Sequence, residues 1–235
     1  YQDMFMFNAD TNHWSVVTDQ SGEIPSARLG HSMVEYNGKL ILFGGGRTDV
    51  GDDCYADVYV FDPITHEWSR PNVTGAAPEA RLYAACCVVG DLMYVHGGKG
   101  HQKVFSDLYS LELATWKWTQ VKTTGVSQIN RYGHALVPYT NELGETNTIF
   151  ILGGCGHDNQ SNSNLPQFKL EIALPTSNTT TAQPTYKYCP VVKNHLYHIM
   201  CGSAYGVYNG HVYIVGGGNQ GSFSETVSCF SLSDE

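Results

Sequence analysis

Four glycine pairs, each placed directly after an apolar run, constrain this chain more than any other feature. Leu40, Ile41, Leu42 and Phe43 precede Gly44 and Gly45, and Met93, Tyr94, Val95 and His96 precede Gly97 and Gly98. Ile149, Phe150, Ile151 and Leu152 precede Gly153 and Gly154, and Val212, Tyr213, Ile214 and Val215 precede Gly216 and Gly217. Successive pairs lie 53, 56 and 63 residues apart. Self-similarity at such a period marks a repeat architecture, whose units cannot bury their apolar faces alone.

Two further signatures run in step with the first. Asp3 and Phe7 lead to Thr11 and Trp14, Asp57 and Phe61 to Thr65 and Trp68, and Asp107 and Leu111 to Thr115 and Trp118. The Asp-to-Trp interval is 11 residues in all three. An arginine then opens the next unit: Arg28 and Arg131 stand in Arg-x-Gly-His, ending at His31 and His134. Arg81, Leu82, Tyr83 and Ala84 keep only the arginine of that pattern.

Each unit reads as four short strands. Strand a follows the arginine, as in Ser32–Tyr36, and Asn37-Gly38 is a strong hairpin signal. Strand b is the apolar run, suited to a strand packed on both faces. Strand c is the Asp-led alternating segment and strand d carries the Trp. Sheets of this kind, stacked radially, give a β-propeller. The glycine pair, the Asp-x-Tyr-x-Phe segment and the Trp, at this period, resemble the kelch repeat. The Arg-x-Gly-His starts resemble the longer-repeat kelch proteins of the host cell factor and Rab9 effector kind.

The fold expected is therefore all-β, a kelch-type β-propeller with about four blades of four antiparallel strands. Residues 1–18 supply strands c and d of a first blade, and 28–70 and 81–121 are complete blades. Residues 131–172 are a degenerate blade without the Asp and Trp, 173–195 an irregular connection and 198–235 an incomplete last blade. Kelch propellers usually have five to seven blades, so the expectation is a fragment of a larger ring. Its open sheet edges would make the isolated chain poorly soluble. Tyr1 already reads as part of a strand, so the true N-terminus, with any targeting segment, is expected upstream.

Composition narrows the partners. The net charge is −9 and no Lys/Arg-rich run is present, which argues against nucleic acid and acidic membrane surfaces. No apolar run is long enough to cross a bilayer. The seven cysteines, at 54, 86, 87, 155, 189, 201 and 229, form no regular spacing. They read as free thiols in a reducing compartment, the cytoplasm. Glycosylation sequons at Asn72, Asn159 and Asn178 point the other way.

The repeated residues read mainly as architecture. The glycine pairs end strand b where room or positive φ is needed. Asp3, Asp57 and Asp107 accept backbone or Arg hydrogen bonds between blades, and Trp14, Trp68 and Trp118 pack between sheets. Arg28, Arg81 and Arg131 admit two readings: arginines that satisfy loop carbonyls, or a ring that captures carboxylates of a partner. The b–c loops, expected on the same face as the d–a loops, vary most. One carries Asp49, Asp52 and Asp53, another Lys99, His101 and Lys103, and residues 155–164 are Asn-rich. Variable loops on a rigid scaffold are where specificity usually lives.

The resemblance and these loops imply a protein–protein interaction module, an adaptor or scaffold. It would bind a peptide or protein partner with acidic groups on the face of the d–a and b–c loops. The alternative is a kelch-like enzyme or small-ligand propeller. Against it, no G-x-S-x-G, H-E-x-x-H or P-loop is present, and no cofactor is implied. Gly216 to Gly221 formally spells GxGxxG, but a strand signal follows instead of a helix. Cys189, His195, His198 and Cys201 have metal-ligand residue types at a spacing that matches no known finger, so no metal site is assigned.

Overall fold

The computed structural model describes residues 2–127, 129–156, 165–173, 183–191, 201–219, 222–223 and 227–231. Asn159, Asn178, His195 and His198, and most of the Asn-rich loop, lie outside the described residues. Among the described residues every regular element is a strand. The strands form three five-stranded sheets, flanked in sequence by a two-stranded and a three-stranded sheet, with two small hairpins in b–c loops.

The second blade shows the plan. Strand a (Ser32–Tyr36) pairs with strand b (Lys39–Phe43), b with c (Val58–Asp62) and c with d (Glu67–Ser69), all antiparallel. The a–b turn is Asn37-Gly38, both residues at positive φ, the left-handed pair that a tight hairpin demands. The third blade repeats the plan with Ala85–Val89, Leu92–His96, Leu108–Glu112 and Lys117–Gln120. The last sheet holds Ala204–Tyr208, His211–Val215 and Val227–Ser231 in the order a, b, c.

Each complete blade also carries a fifth, outermost strand. Ser21–Gly22, Thr74–Gly75 and Thr123–Gly125 lie parallel to strand d. At Gly75 the reason for glycine is direct: φ is +81°, and a Cβ would overlap the carbonyl oxygen of Trp118. This strand is built from the segment between strand d of one unit and the arginine of the next.

The fourth blade departs from the sequence reading. Residues 173–195 were expected to be an irregular connection, yet Thr185–Pro190 forms strand d, paired with strand c at Phe168–Ala173. Tyr188 takes the place of Trp: it lies opposite Leu170, as Trp118 lies opposite Leu111, and it is buried. Gln167 takes the place of Asp, directly before strand c. The strand was hidden because its landmark aromatic changed type and its spacing lengthened.

The core sits between sheets, one layer at each junction. Ile41, Phe43 and Val58 of the second blade pack against Cys86, Met93, Leu111 and Trp118 of the third. Cys87 and Tyr94 of the third pack against Leu136, Ile151, Leu170 and Tyr188 of the fourth. Cys86 and Cys87 thus serve opposite layers, because successive strand residues point to opposite faces. Val137 and Phe150 meet Val212 and Ile214 of the last sheet.

Trp14 differs in exposure from the other two Trp. Trp68 and Trp118 are buried, whereas Trp14 is 64% exposed, beside exposed Phe5 and Phe7. The first sheet covers the second blade through Val17 and Met4, and its other face meets nothing in the described residues.

Candidate functional site

The arginines are the first residues to place, because two readings of them were open. Arg28 donates to both carboxylate oxygens of Asp57, at 2.6 and 3.2 Å, and to the carbonyl of Gly44 at 3.0 Å. Arg81 repeats the pattern with Asp107, at 2.5 and 3.2 Å, and with Gly97 at 2.9 Å. Arg131 donates to the carbonyls of Gly153 and Pro166, at 3.1 and 2.8 Å. The side chains of Arg28 and Arg81 are almost wholly buried, and Arg131 is fully buried. The guanidinium groups are consumed inside the blades, which corrects the reading of them as a ring that pairs with a partner. The Asp–Arg bonds also run within one blade rather than between blades. Asp3, in the first sheet, is exposed.

Arg131 differs from the other two in having no carboxylate partner among the described residues. Desolvation lowers its pKa to about 10. Gln167 instead accepts the backbone N–H of Gly153 at 2.7 Å and donates to the carbonyl of Leu165.

The glycine pairs explain how neighbouring blades approach. All eight glycines, Gly44, Gly45, Gly97, Gly98, Gly153, Gly154, Gly216 and Gly217, have positive φ. The N–H groups of Gly45 and Gly98 donate at 2.9 Å to the carbonyls of Arg81 and Arg131 in the next blade. The arginine residue therefore closes its own blade with its side chain and the inter-blade joint with its backbone.

The loop after each arginine lines an inner wall. Leu29, Leu82, Tyr132 and Cys201 bridge to Gly46, Lys99, Cys155 and Gly218, joining the d–a loop to the b–c loop within each blade. The next residues form a blade-to-blade chain: Tyr83 N–H donates to Gly30, Gly133 to Tyr83 and Gly202 to Gly133, at 2.6, 2.9 and 2.9 Å. All four residues of this chain have positive φ. Three are glycine and the fourth is Tyr83, at φ +56°. The other described non-glycine residues at positive φ sit in hairpin turns. A side chain in this conformation costs about 1 kcal/mol or more relative to glycine.

Tyr83 is half-buried, and its ring lies 6.2 Å from that of Tyr132. Burial, then the carboxylate of Asp49, push its hydroxyl pKa up. The ammonium of Lys99 lies 5.5 Å from the Tyr132 ring centre, in cation–π geometry. The segment 81–84 lacks the Gly and His of the repeat pattern. The signal for Tyr83 was that loss: a bulky residue at a glycine position.

The charged loops flank this mouth. Asp49, Asp52 and Asp53 are exposed; Asp52 accepts from Thr48 at 2.7 Å and Asp53 pairs with Arg47 at 3.5 Å. Lys99 is half-buried, His101 is exposed, and Lys103 pairs with Glu79 at 2.7 Å. The two loops touch, since a Cβ on Gly51 would lie 2.6 Å from the carbonyl of Gly100. The acidic loop thus abuts the basic one in one continuous rim.

Among the described residues no cluster of His, Cys, Asp or Glu could hold a metal ion, and no helix is long and apolar enough to cross a membrane.

Comparison with known proteins agrees with this geometry. Residues 1–171 match the model of the KLHDC2/KLHL20/DRC7 Kelch-repeats domain. Rat Kelch domain-containing protein 3 is 31% identical over 92% of this chain and 56% of its own length. Mouse Kelch domain-containing protein 1 is 28% identical over 81% of this chain and 49% of its own. Human Host cell factor 2 is 28% identical over 66% of this chain and 19% of its own. The chain spans about half the length of the first two of these relatives. The repeated strands, the glycine pairs and the family match together establish that this chain belongs to the kelch-repeat β-propeller family.

Proposed function

We propose that this chain is a protein-interaction module that seats a peptide or protein segment on the inner mouth formed by its d–a and b–c loops. Tyr83 carries the reading. A bulky side chain is kept in a strained conformation where the three equivalent positions hold glycine. Strain that architecture does not require points to a use outside architecture. Tyrosine is well suited to that use, with a large apolar face and a hydroxyl that can meet a polar group. Tyr132 extends the aromatic platform, and Lys99 places a cation beside it.

The charge expected of the partner changes with the arginines. With Arg28, Arg81 and Arg131 spent internally, Lys99 and Lys103 are the cations that acidic groups of a partner would meet, with His101 beside them as a hydrogen-bonding group. Asp49, Asp52 and Asp53 lie alongside and favour basic groups on the adjacent stretch. The complement is therefore a segment with both signs of charge around an apolar centre. The role is binding without catalysis. The irregular spacing of the seven cysteines favours a reducing compartment such as the cytoplasm.

The test exploits the strain. Tyr83→Gly should raise the unfolding free energy by about 1 kcal/mol, because the glycine chain becomes regular. The same variant should lose the proteins that the wild-type chain captures from a cell extract, identified by mass spectrometry. A more stable variant that still captures the same set would overturn the assignment of Tyr83 to the partner.

A further inference from the structure

The repeat places one residue pair at every inter-blade joint of the inner wall: the residue after the glycine pair, and the residue after the next blade's arginine position. At the joint of the second and third blades these are Gly46 and Leu82, whose side chain would lie 3.2 Å from a Cβ on Gly46. At the next joint they are Lys99 and Tyr132, in cation–π contact. At the joint of the fourth blade and the last sheet they are Cys155 and Cys201, both held against Tyr132.

Three backbone anchors hold this third pair in place. Cys155 exchanges both backbone hydrogen bonds with Tyr132, at 2.9 and 3.0 Å. The N–H of Gly202, next to Cys201, donates to Gly133, next to Tyr132, at 2.9 Å. The Cys201 thiol also donates to the Tyr132 carbonyl at 3.7 Å. Both cysteines are thus fixed to the same short segment of the fourth blade.

We propose that Cys155 and Cys201 are a reversible redox site, which closes to a disulfide across the joint when the protein meets a hydroperoxide. This goes beyond the binding role and does not depend on it. The chemistry favours Cys155 as the first thiolate. The Cys201 side chain, and then the Tyr132 hydroxyl, hold its pKa below the usual thiol value against the opposing effect of burial. That of Cys201 is raised by the neighbouring Cys155 and by burial. Four of the other cysteines offer less: burial pushes Cys86 up to about 12 and Cys87 higher still, and Cys54 and Cys189 are also raised.

The step balances. The Cys155 thiolate attacks one peroxide oxygen, the O–O bond breaks, and hydroxide leaves and takes up a proton. Cys155 is now a sulfenic acid. The Cys201 sulfur displaces the S–O oxygen as water, forming the S–S bond. Two thiols and one hydroperoxide give one disulfide and two waters, or one water and one alcohol. Thiol reductants reverse it.

The experiment treats the folded chain with hydrogen peroxide and maps disulfides by peptide mass spectrometry. Two of the seven thiols should be lost, in one linked peptide pair containing Cys155 and Cys201, and dithiothreitol should restore both. Cys201→Ser should leave Cys155 as a sulfenic acid that dimedone labels, and Cys155→Ser should abolish the linkage. Both variants should fold, since the equivalent positions hold glycine, lysine, leucine and tyrosine in the other blades. Oxidation of a folded chain that leaves these two thiols unlinked, or that links either to another cysteine, would overturn the proposal.

Discussion

The third and fourth blades solve the same problem with different residues. In the third, Arg81 meets the carboxylate of Asp107, and Trp118 fills the layer against the second blade. In the fourth, Arg131 meets carbonyl oxygens, Gln167 replaces the carboxylate and Tyr188 replaces the Trp. The backbone hardly notices: the strand order and the arginine's bond to the glycine-pair carbonyl are retained. The repeat therefore fixes hydrogen-bond geometry first and side-chain identity second. The cost of the substitution is electrostatic, since a buried guanidinium with no counter-charge among the described residues is poorly solvated.

Perturbing each version separately measures that difference. Trp118→Ala removes a fully buried ring and should cost about 4 kcal/mol of unfolding free energy in a urea titration. Trp14→Ala, at an exposed position, should cost well under about 1 kcal/mol. Asp107→Asn leaves Arg81 buried without its counter-charge and should cost about 3 kcal/mol. Gln167→Asp runs the comparison in reverse: giving Arg131 a carboxylate should stabilise the protein by about 1 kcal/mol. Destabilisation by Gln167→Asp would mean that the amide's bonds to Gly153 and Leu165 matter more than the charge.

A smaller effect belongs to the junction of these two blades. His96 Nδ1 and His134 Nε2 lie 2.8 Å apart in a buried site, so one nitrogen donates and the other accepts. Burial, then the neighbouring His96 and Arg131, hold His134 neutral well below its ordinary pKa of 6.5. The unfolded chain therefore takes up a proton that the native chain refuses. Stability should be level above pH 6.5 and fall below it, by up to about 1.4 kcal/mol per pH unit. His134→Phe should flatten that limb of a pH series of unfolding curves.

The sequence displayed the fold wherever landmarks kept their residue type. Glycine pairs, the 11-residue Asp-to-Trp interval and Asn37-Gly38 sufficed for the second and third blades. They failed for strand d of the fourth, because Tyr188 buries an aromatic ring as Trp does but carries no Trp letter. The outermost strand was missed for a different reason. Two residues such as Thr74 and Gly75 have no periodicity, and their glycine is explained only by the carbonyl of Trp118 beside it.

The site was less legible than the fold. Arg28, Arg81 and Arg131 sat at the right loops, but sequence does not say whether a guanidinium points outward or back into its own blade. Asp57 and Asp107, 29 and 26 residues downstream, take two of them. Tyr83 was visible as an exception to the pattern, and its meaning came from the hydrogen-bonded chain of Gly30, Gly133 and Gly202.

That the repeat arginines are internal fasteners is tested most directly by a double-mutant cycle on Arg81 and Asp107. With Arg81→Met and Asp107→Asn singly and together, the unfolding free energies should show a coupling of about 2 kcal/mol. Additive losses, with no coupling between the two positions, would contradict the account and return Arg81 to the list of groups available to a partner.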